Sequence, residues 1–168
     1  YKGIPSGYDE TSFAYSPSYM NNQQVIVPMQ IPILTYAEVA FIKAELAFKG
    51  HLAGAEEAFK EGVRAGIKTW IGNDIDEGYF LSSLASYDGT LERIMLHKYL
   101  ALYLTDFQQW SEYRRTGFPV LPKTSAMLNE GLMPSRLLYP GIQQIYNPEN
   151  YRDAAERMGG DDINFKLW

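Results

Sequence analysis

No feature constrains the fold of this chain more than the run from Thr35 to Lys49. It contains neither glycine nor proline, and its apolar residues recur at helical spacing. Thr35-Tyr36-Ala37-Glu38 forms a capping box, in which Thr35 accepts from a free N–H and Glu38 reaches back. Gly50 is placed to end the helix as its C′ residue. On a helical projection Glu38, Glu45 and Lys49 share one narrow stripe. Tyr36, Ala40, Phe41, Ala44, Ala47 and Phe48 fill a broad arc, and Val39, Ile42 and Leu46 flank it. A helix this apolar is expected to be buried around most of its circumference, so it needs partners on several sides.

The first partner follows at once. A second helix is predicted over 53–69, with Ala55, Ala58, Phe59, Gly62, Gly66 and Ile67 inside and Glu56, Glu57, Lys60, Glu61, Arg64 and Lys68 outside. Its small residues, at 55, 58, 62 and 66, let another helix approach closely. The short link at 50–54 makes the two an antiparallel hairpin. Leu46, Gly50, Ala55 and Phe59 are similar in spacing to a tetratricopeptide unit, although one such unit cannot bury its own faces.

Residues 70–90 carry Gly72, Asn73, Asp74, Gly78, Asp88 and Gly89 and are predicted to be a connector, with a short helix around Tyr79–Ala85. A single long helix is predicted over 91–115, with Met95, Leu96, Tyr99, Leu100, Leu102, Tyr103, Phe107 and Trp110 on its apolar arc. Asp106 and Arg114 break that arc. Buried charges are costly unless paired, so Arg114 is expected to be held by carboxylates or carbonyls of the C-terminal tail.

The ends differ. Residues 1–34 are rich in Ser, Pro, Asn, Gln and Tyr without helical period, and 116–168 are mostly irregular apart from a helix predicted from Pro148 to Met158, capped by Asn147. An irregular stretch this long is odd in an isolated domain and is expected to wrap a larger body. The fold class is therefore all-α: a tetratricopeptide-like helix hairpin plus a long helix, with long irregular loops and a wrapping C-terminal tail. The organisation is a loop-rich entry (1–34), a hairpin (35–70), a long helix (91–115) and the tail (116–168).

Composition narrows function. The chain is 46% hydrophobic and 21% charged, with a net charge of −5, and no basic stripe is available to neutralise phosphates, so nucleic acid is not an expected partner. It has no cysteine, which excludes disulfides, thiol catalysis and Cys-based metal sites. His51 and His97 do not form a metal-binding pattern. No apolar run is long enough to span a bilayer.

Catalytic readings fare poorly. Glu38 and Glu45 share a helix face, but their rise of about 10.5 Å exceeds the roughly 5–9.5 Å that separates facing glycosidase carboxyls, and both project from one side. Ser111, Ser125 and Ser135 have no nucleophile-elbow context. Gly159-Gly160-Asp161-Asp162 lacks the glycine spacing and lysine of a phosphate loop and fits a turn better than a weak cation site. No cofactor is expected.

The aromatic surplus is more informative. Aromatics are 14% of the chain, with 13 Tyr. Most are expected to line helix packing, but a loop aromatic can stack its face on a sugar while nearby amides bind hydroxyls. Candidates outside the helical cores are Tyr15, Tyr19, Trp70, Asn73, Tyr79 and Tyr87, with Tyr8, Phe80, Asn21, Asn22 and Asp74 as further company.

Four segments carry a resemblance. Thr35-Tyr36-Ala37-Glu38-Val39 with Lys43-Ala44-Glu45-Leu46-Ala47-Phe48-Lys49-Gly50 comes first. His97-Lys98-Tyr99-Leu100-Ala101-Leu102-Tyr103 follows, leading to Gln109-Trp110-Ser111-Glu112-Tyr113-Arg114-Arg115-Thr116-Gly117-Phe118-Pro119. Then come Met133-Pro134-Ser135-Arg136-Leu137-Leu138-Tyr139-Pro140 with Asn147, and finally Asp161 to Trp168. In order and spacing they resemble the SusD/RagB-like outer-membrane nutrient-binding lipoproteins. The departure is at Gln143 or Gln144, where that family often has Glu.

The resemblance implies a non-catalytic helical protein and the C-terminal portion of a single SusD-like domain. It implies attachment to the outer face of the outer membrane through a lipid anchor that lies outside this chain. The start, Tyr1-Lys2-Gly3, carries no signal-peptide pattern, in keeping with a mature fragment. It also implies a SusC-like TonB-dependent transporter as partner and a glycan or peptide as ligand. The matched motifs are scaffold, with Arg114, Arg115, Arg136 and Tyr139 expected to fix the tail on the long helix. Two other readings are a tetratricopeptide-type protein-interaction scaffold without a nutrient role and an all-α glycosidase.

Overall fold

The computed structural model describes residues 15–16, 32–123 and 127–166. Tyr8, Tyr19, Asn21, Asn22, Ser125 and the end of the Asp161-to-Trp168 motif lie outside them. The described residues hold helices and no strand, as expected of an all-α chain. None of the helices is long and apolar enough to cross a membrane. Contacts divide the chain into two compact units, one holding residues 32–121 and the other the tail from 122.

In the larger unit, α1 spans Tyr36–Phe48. Thr35 caps it, accepting from the Glu38 N–H at 3.2 Å. Gly50 ends it in the left-handed conformation, φ +80°, and the His51 N–H reaches back to the Leu46 carbonyl at 2.9 Å. Helix α2 spans Ala55–Ile71. It packs antiparallel on α1 through the predicted small residues, because a Cβ on Gly62 would stand 2.8 Å from the Phe41 ring. Helix α3 spans Leu91–Ala101 and packs on both. A Cβ on Gly66 would meet that of Ala101 at 3.1 Å. Phe41, Phe59, Ile94 and Met95 fill the core between the three.

Three expectations need correction. First, the helix predicted over 91–115 is two helices, α3 and α4 (Gln108–Thr116). Leu104 and Asp106 between them have φ of +59° and +57°. The Thr105 hydroxyl donates to the Leu102 carbonyl at 2.6 Å, taking an acceptor the helix would need, and Gln109 Nε2 donates to the Tyr99 carbonyl at 2.6 Å across the break. The break turns Asp106 out to solvent, so no buried charge arises there.

Second, α1 is not buried round most of its circumference. Tyr36, Ile42, Leu46 and Phe48 stay exposed, while Glu45, placed by its period on the polar stripe, is 6% exposed. Third, the described partners of two arginines expected to clasp the tail lie elsewhere. Arg115 binds Glu45 and Glu112 inside the larger unit, and Arg136 binds within the tail. Arg114 lies over the Trp110 ring, 4.5 Å from its centroid.

The tail unit has its own fixings. Arg136 and Asp161, both nearly excluded from solvent, pair at 2.6 Å. The Asp161 carboxylate also accepts from the Tyr139 N–H at 3.2 Å. The Ser135 and Arg136 N–H groups both donate to the Ile163 carbonyl, and Asn129 and Asn164 exchange amide hydrogen bonds at 2.8 and 2.9 Å. Two short helices follow Pro140: α5 (Gly141–Tyr146) and α6 (Pro148–Arg157). Helix α6 was predicted, and α5 was not. Asn147 stands at the α6 cap position but makes no side-chain cap bond. It accepts from Asn150 instead, at 2.6 Å.

Candidate functional site

Two concavities open on the larger unit. The first lies where α2, α3 and the 3-10 turn Glu77–Leu81 converge, and its volume is about 160 Å³. Helix α2 runs two residues beyond its predicted end, so Trp70 stands in its last turn rather than on a loop. There it continues the Gly62, Gly66 face at steps of four, with Ile67 and Ile71 beside it. Trp70 is fixed by two contacts: its indole Nε1 donates to the Ala101 carbonyl at 3.2 Å, and Tyr103 packs edge-on at 5.5 Å.

Tyr79, delivered by the connector, lines the same groove. Asp76 caps its 3-10 turn, accepting from the Tyr79 N–H at 3.3 Å. Ion pairs hold this connector on α2: Lys68 to Asp74 at 2.8 Å, and Arg64 to Glu77. Arg64 also lies over the Phe80 ring at 5.0 Å, and Phe80 is buried in the core. Tyr79 packs edge-on against Phe80 and remains 43% exposed, available to a ligand. Leu100 and Ala101 form the α3 wall, and His97 lines the same groove. His97 Nε2 lies 3.1 Å from the Leu84 carbonyl, and burial lowers its pKa, keeping the ring neutral near pH 7.

Of the predicted site residues, Trp70 and Tyr79 line the same groove. Asn73 is exposed on the connector, and Tyr87 rests on the core ring of Phe59 at 5.3 Å, where burial raises its pKa. Neither lines the groove. Tyr15 is half-buried and belongs to the unit that contains the tail. Tyr19 lies outside the described residues. Phe80 is core rather than a loop aromatic, and Asp74 is paired with Lys68. Ile67, Ile71, His97 and Leu100 were missed. Extending the Gly62, Gly66 stripe one more turn would have found the α2 face, but nothing local marks the α3 residues.

The second concavity, about 320 Å³, is lined by Glu38, Glu45, Lys49, Lys98, Glu112 and Arg115 among others. Arg115 donates to both Glu45 oxygens, at 2.7 and 2.6 Å, and to Glu112 at 2.7 Å. Lys98, 2% exposed, reaches Glu112 at 3.0 Å, and Lys49 reaches Glu45 at 2.6 Å. The Arg115 bonds, with help from Lys49, hold the Glu45 pKa at about 2 despite burial. Burial would push the Glu112 pKa up, but Arg115 and Lys98 outweigh it and lower it. Glu45 is thus an unreactive anion clamped between helices, unsuited to proton donation. In the tail, the Asp161 carboxylate of the Gly159-to-Asp162 turn is taken up by Arg136 and the Tyr139 N–H. Among the described residues, no group of three His, Asp or Glu is placed to hold a metal.

Comparisons with known proteins agree with this architecture. The SusD-like family model, described as starch-binding and associating with the outer membrane, matches residues 1–140. The Asp161-to-Trp168 segment is therefore not part of that match. A SusD homologue from Bacteroides fragilis is 31% identical, with a TM-score of 0.64 over 81% of this chain and 34% of its own. A chitin-binding protein is 32% identical, with a TM-score of 0.66 over 79% of this chain and 32% of its own. A SusD homologue from Bacteroides thetaiotaomicron is 25% identical, with a TM-score of 0.69 over 80% of this chain and 37% of its own. The chain thus spans about a third of the length of each. No curated protein matches it. A family match over residues 1–140, on a helical scaffold shared with solved homologues, establishes that the chain belongs to the SusD-like family.

Proposed function

We propose that this protein binds glycans without cleaving them and passes them to a SusC-like TonB-dependent transporter. The chain is then the C-terminal portion of a single-domain lipoprotein held at the outer face of the outer membrane by a lipid anchor outside this sequence. Family membership supports binding at the outer membrane, and the chitin-binding neighbour supports a glycan over a peptide. The observation that carries the reading in this chain is one groove lined by both a fixed Trp70 and an exposed Tyr79. Two aromatic side chains in one groove offer a sugar apolar ring surface. Of the two carboxylates weighed for hydrolysis, Glu45 is bound by Arg115 through both oxygens. Tyr15, Tyr19, Asn73 and Tyr87 remain proposed ligand contacts.

Isothermal titration of the intact protein with starch and chitin oligosaccharides tests this, with chromatography of the mixture afterwards. Binding without new products is the expected result, and Trp70→Ala should weaken it about tenfold, the loss of roughly 1.4 kcal/mol. Unchanged affinity in that variant, or released shorter sugars, would overturn the proposal.

A further inference from the structure

The chemistry of the groove selects within the glycans, on the reading that this groove is the ligand site. Its volume of about 160 Å³ falls below the roughly 300–1,000 Å³ of sites that enclose a whole small molecule. It therefore encloses one ring-sized unit and leaves the rest of a chain outside. No carboxylate, ammonium or guanidinium lines it. The nearby Lys68 and Arg64 are held by Asp74 and Glu77. A neutral occupant is favoured over a uronic acid or a free amino sugar.

The walls distinguish among neutral sugars. Beside the Trp70 indole, the lining is aliphatic: Ile67, Ile71, Leu100 and Ala101, with Leu100 57% exposed. A plain hexose presents hydroxyls around its rim, and a hydroxyl pressed on aliphatic carbon loses water without gaining a partner. A methyl group in the same place gains from leaving water. The indole is already fixed by Ala101 and Tyr103, so stacking a ring on it orders little further.

We propose that the groove takes an N-acetylated amino sugar, its ring stacked on Trp70 and its acetamido methyl seated against Ile67, Ile71 and Leu100. An N-acetyl group is uncharged, adds one methyl to an otherwise polar rim, and fits a site of one-ring size.

The test is titration of the intact protein with three trimers of equal linkage: N-acetylglucosamine, glucosamine and glucose, all β-1,4. Wild type, Trp70→Ala, Tyr79→Ala and Leu100→Asn are compared, each checked for an unchanged melting curve. Leu100 and Tyr79 are exposed, so their replacement leaves the core alone. The expected result is about tenfold tighter binding of the acetylated trimer than of either other. Leu100→Asn should abolish that preference by lowering the affinity for the acetylated trimer, and Trp70→Ala or Tyr79→Ala should weaken all three. Equal affinities that still respond to Trp70→Ala overturn the acetyl preference and leave the glycan groove standing. Affinities indifferent to both Trp70 and Tyr79 overturn the groove as well.

Discussion

Replacing Arg115 by Met should destabilise the fold far more than a surface arginine would. Arg115 grips both oxygens of Glu45, a carboxylate buried among α1, α3 and α4. The Glu45 pKa falls from 4.5 to about 2, which at about 1.4 kcal/mol per unit corresponds to roughly 3 kcal/mol. Arg115 is itself partly exposed, so water screens its share, and about 2–3 kcal/mol is the expected loss. For a chain of this size that lowers Tm by roughly 4–12 °C. Glu45 then keeps only Lys49, and Glu112 keeps Lys98.

The pH dependence has a definite sign. A carboxylate whose pKa is depressed by folding contributes stability above its unfolded value, 4.5, and loses it as pH falls toward about 2. Urea unfolding of the wild type should therefore weaken between about pH 5 and pH 2, and Glu45→Gln should flatten that slope. A double-mutant cycle with Arg115→Met and Glu45→Gln isolates the pair. A loss below about 0.5 kcal/mol in Arg115→Met, or an unchanged acid slope in Glu45→Gln, would refute the buried-clamp reasoning.

Two other perturbations probe the scaffold. Gly62→Ala gains helix propensity but drives a Cβ to 2.8 Å from the Phe41 ring. A net loss of about 1–2 kcal/mol is expected by chemical denaturation, and a more stable variant would show that Phe41 yields freely. Arg136→Met strands the buried Asp161 carboxylate, so hydrogen exchange should speed at the Tyr139 amide bonded to it. Unchanged exchange there would show that Asp161 does not organise the tail.

Much of the scaffold was legible because its signals are local. The Thr35 cap, the Gly50 stop and the small faces at Gly62 and Gly66 are short-range chemistry that tertiary contacts only reinforce. The break at 102–107 was not legible. Its apolar period continues without glycine or proline, and the break depends on a Thr105 side-chain bond and on Gln109 reaching back to Tyr99. Glu45 was placed on a polar stripe because period says which way a side chain faces, not that Arg115 waits there from seventy residues away.

At the site, Trp70 and Tyr79 were readable as aromatics near turns, although Trp70 belongs to α2. The α3 wall was not, since Leu100 and Ala101 join the groove only once α3 packs on α2. Phe80 and Tyr87 show the converse. Their loop positions resemble those of ligand contacts, yet Phe80 is buried in the core and Tyr87 packs against it.

The central claim is that sugar is held on the Trp70 face of the groove. The chain has three tryptophans, so nitrogen-resolved NMR of the indole N–H groups, assigned with Trp70→Phe, reads it directly. On addition of N-acetylglucosamine trimer, the Trp70 signal should shift in proportion to occupancy while that of Trp110 stays in place. A titration that moves the Trp110 or Trp168 signal and leaves Trp70 unmoved would contradict the account.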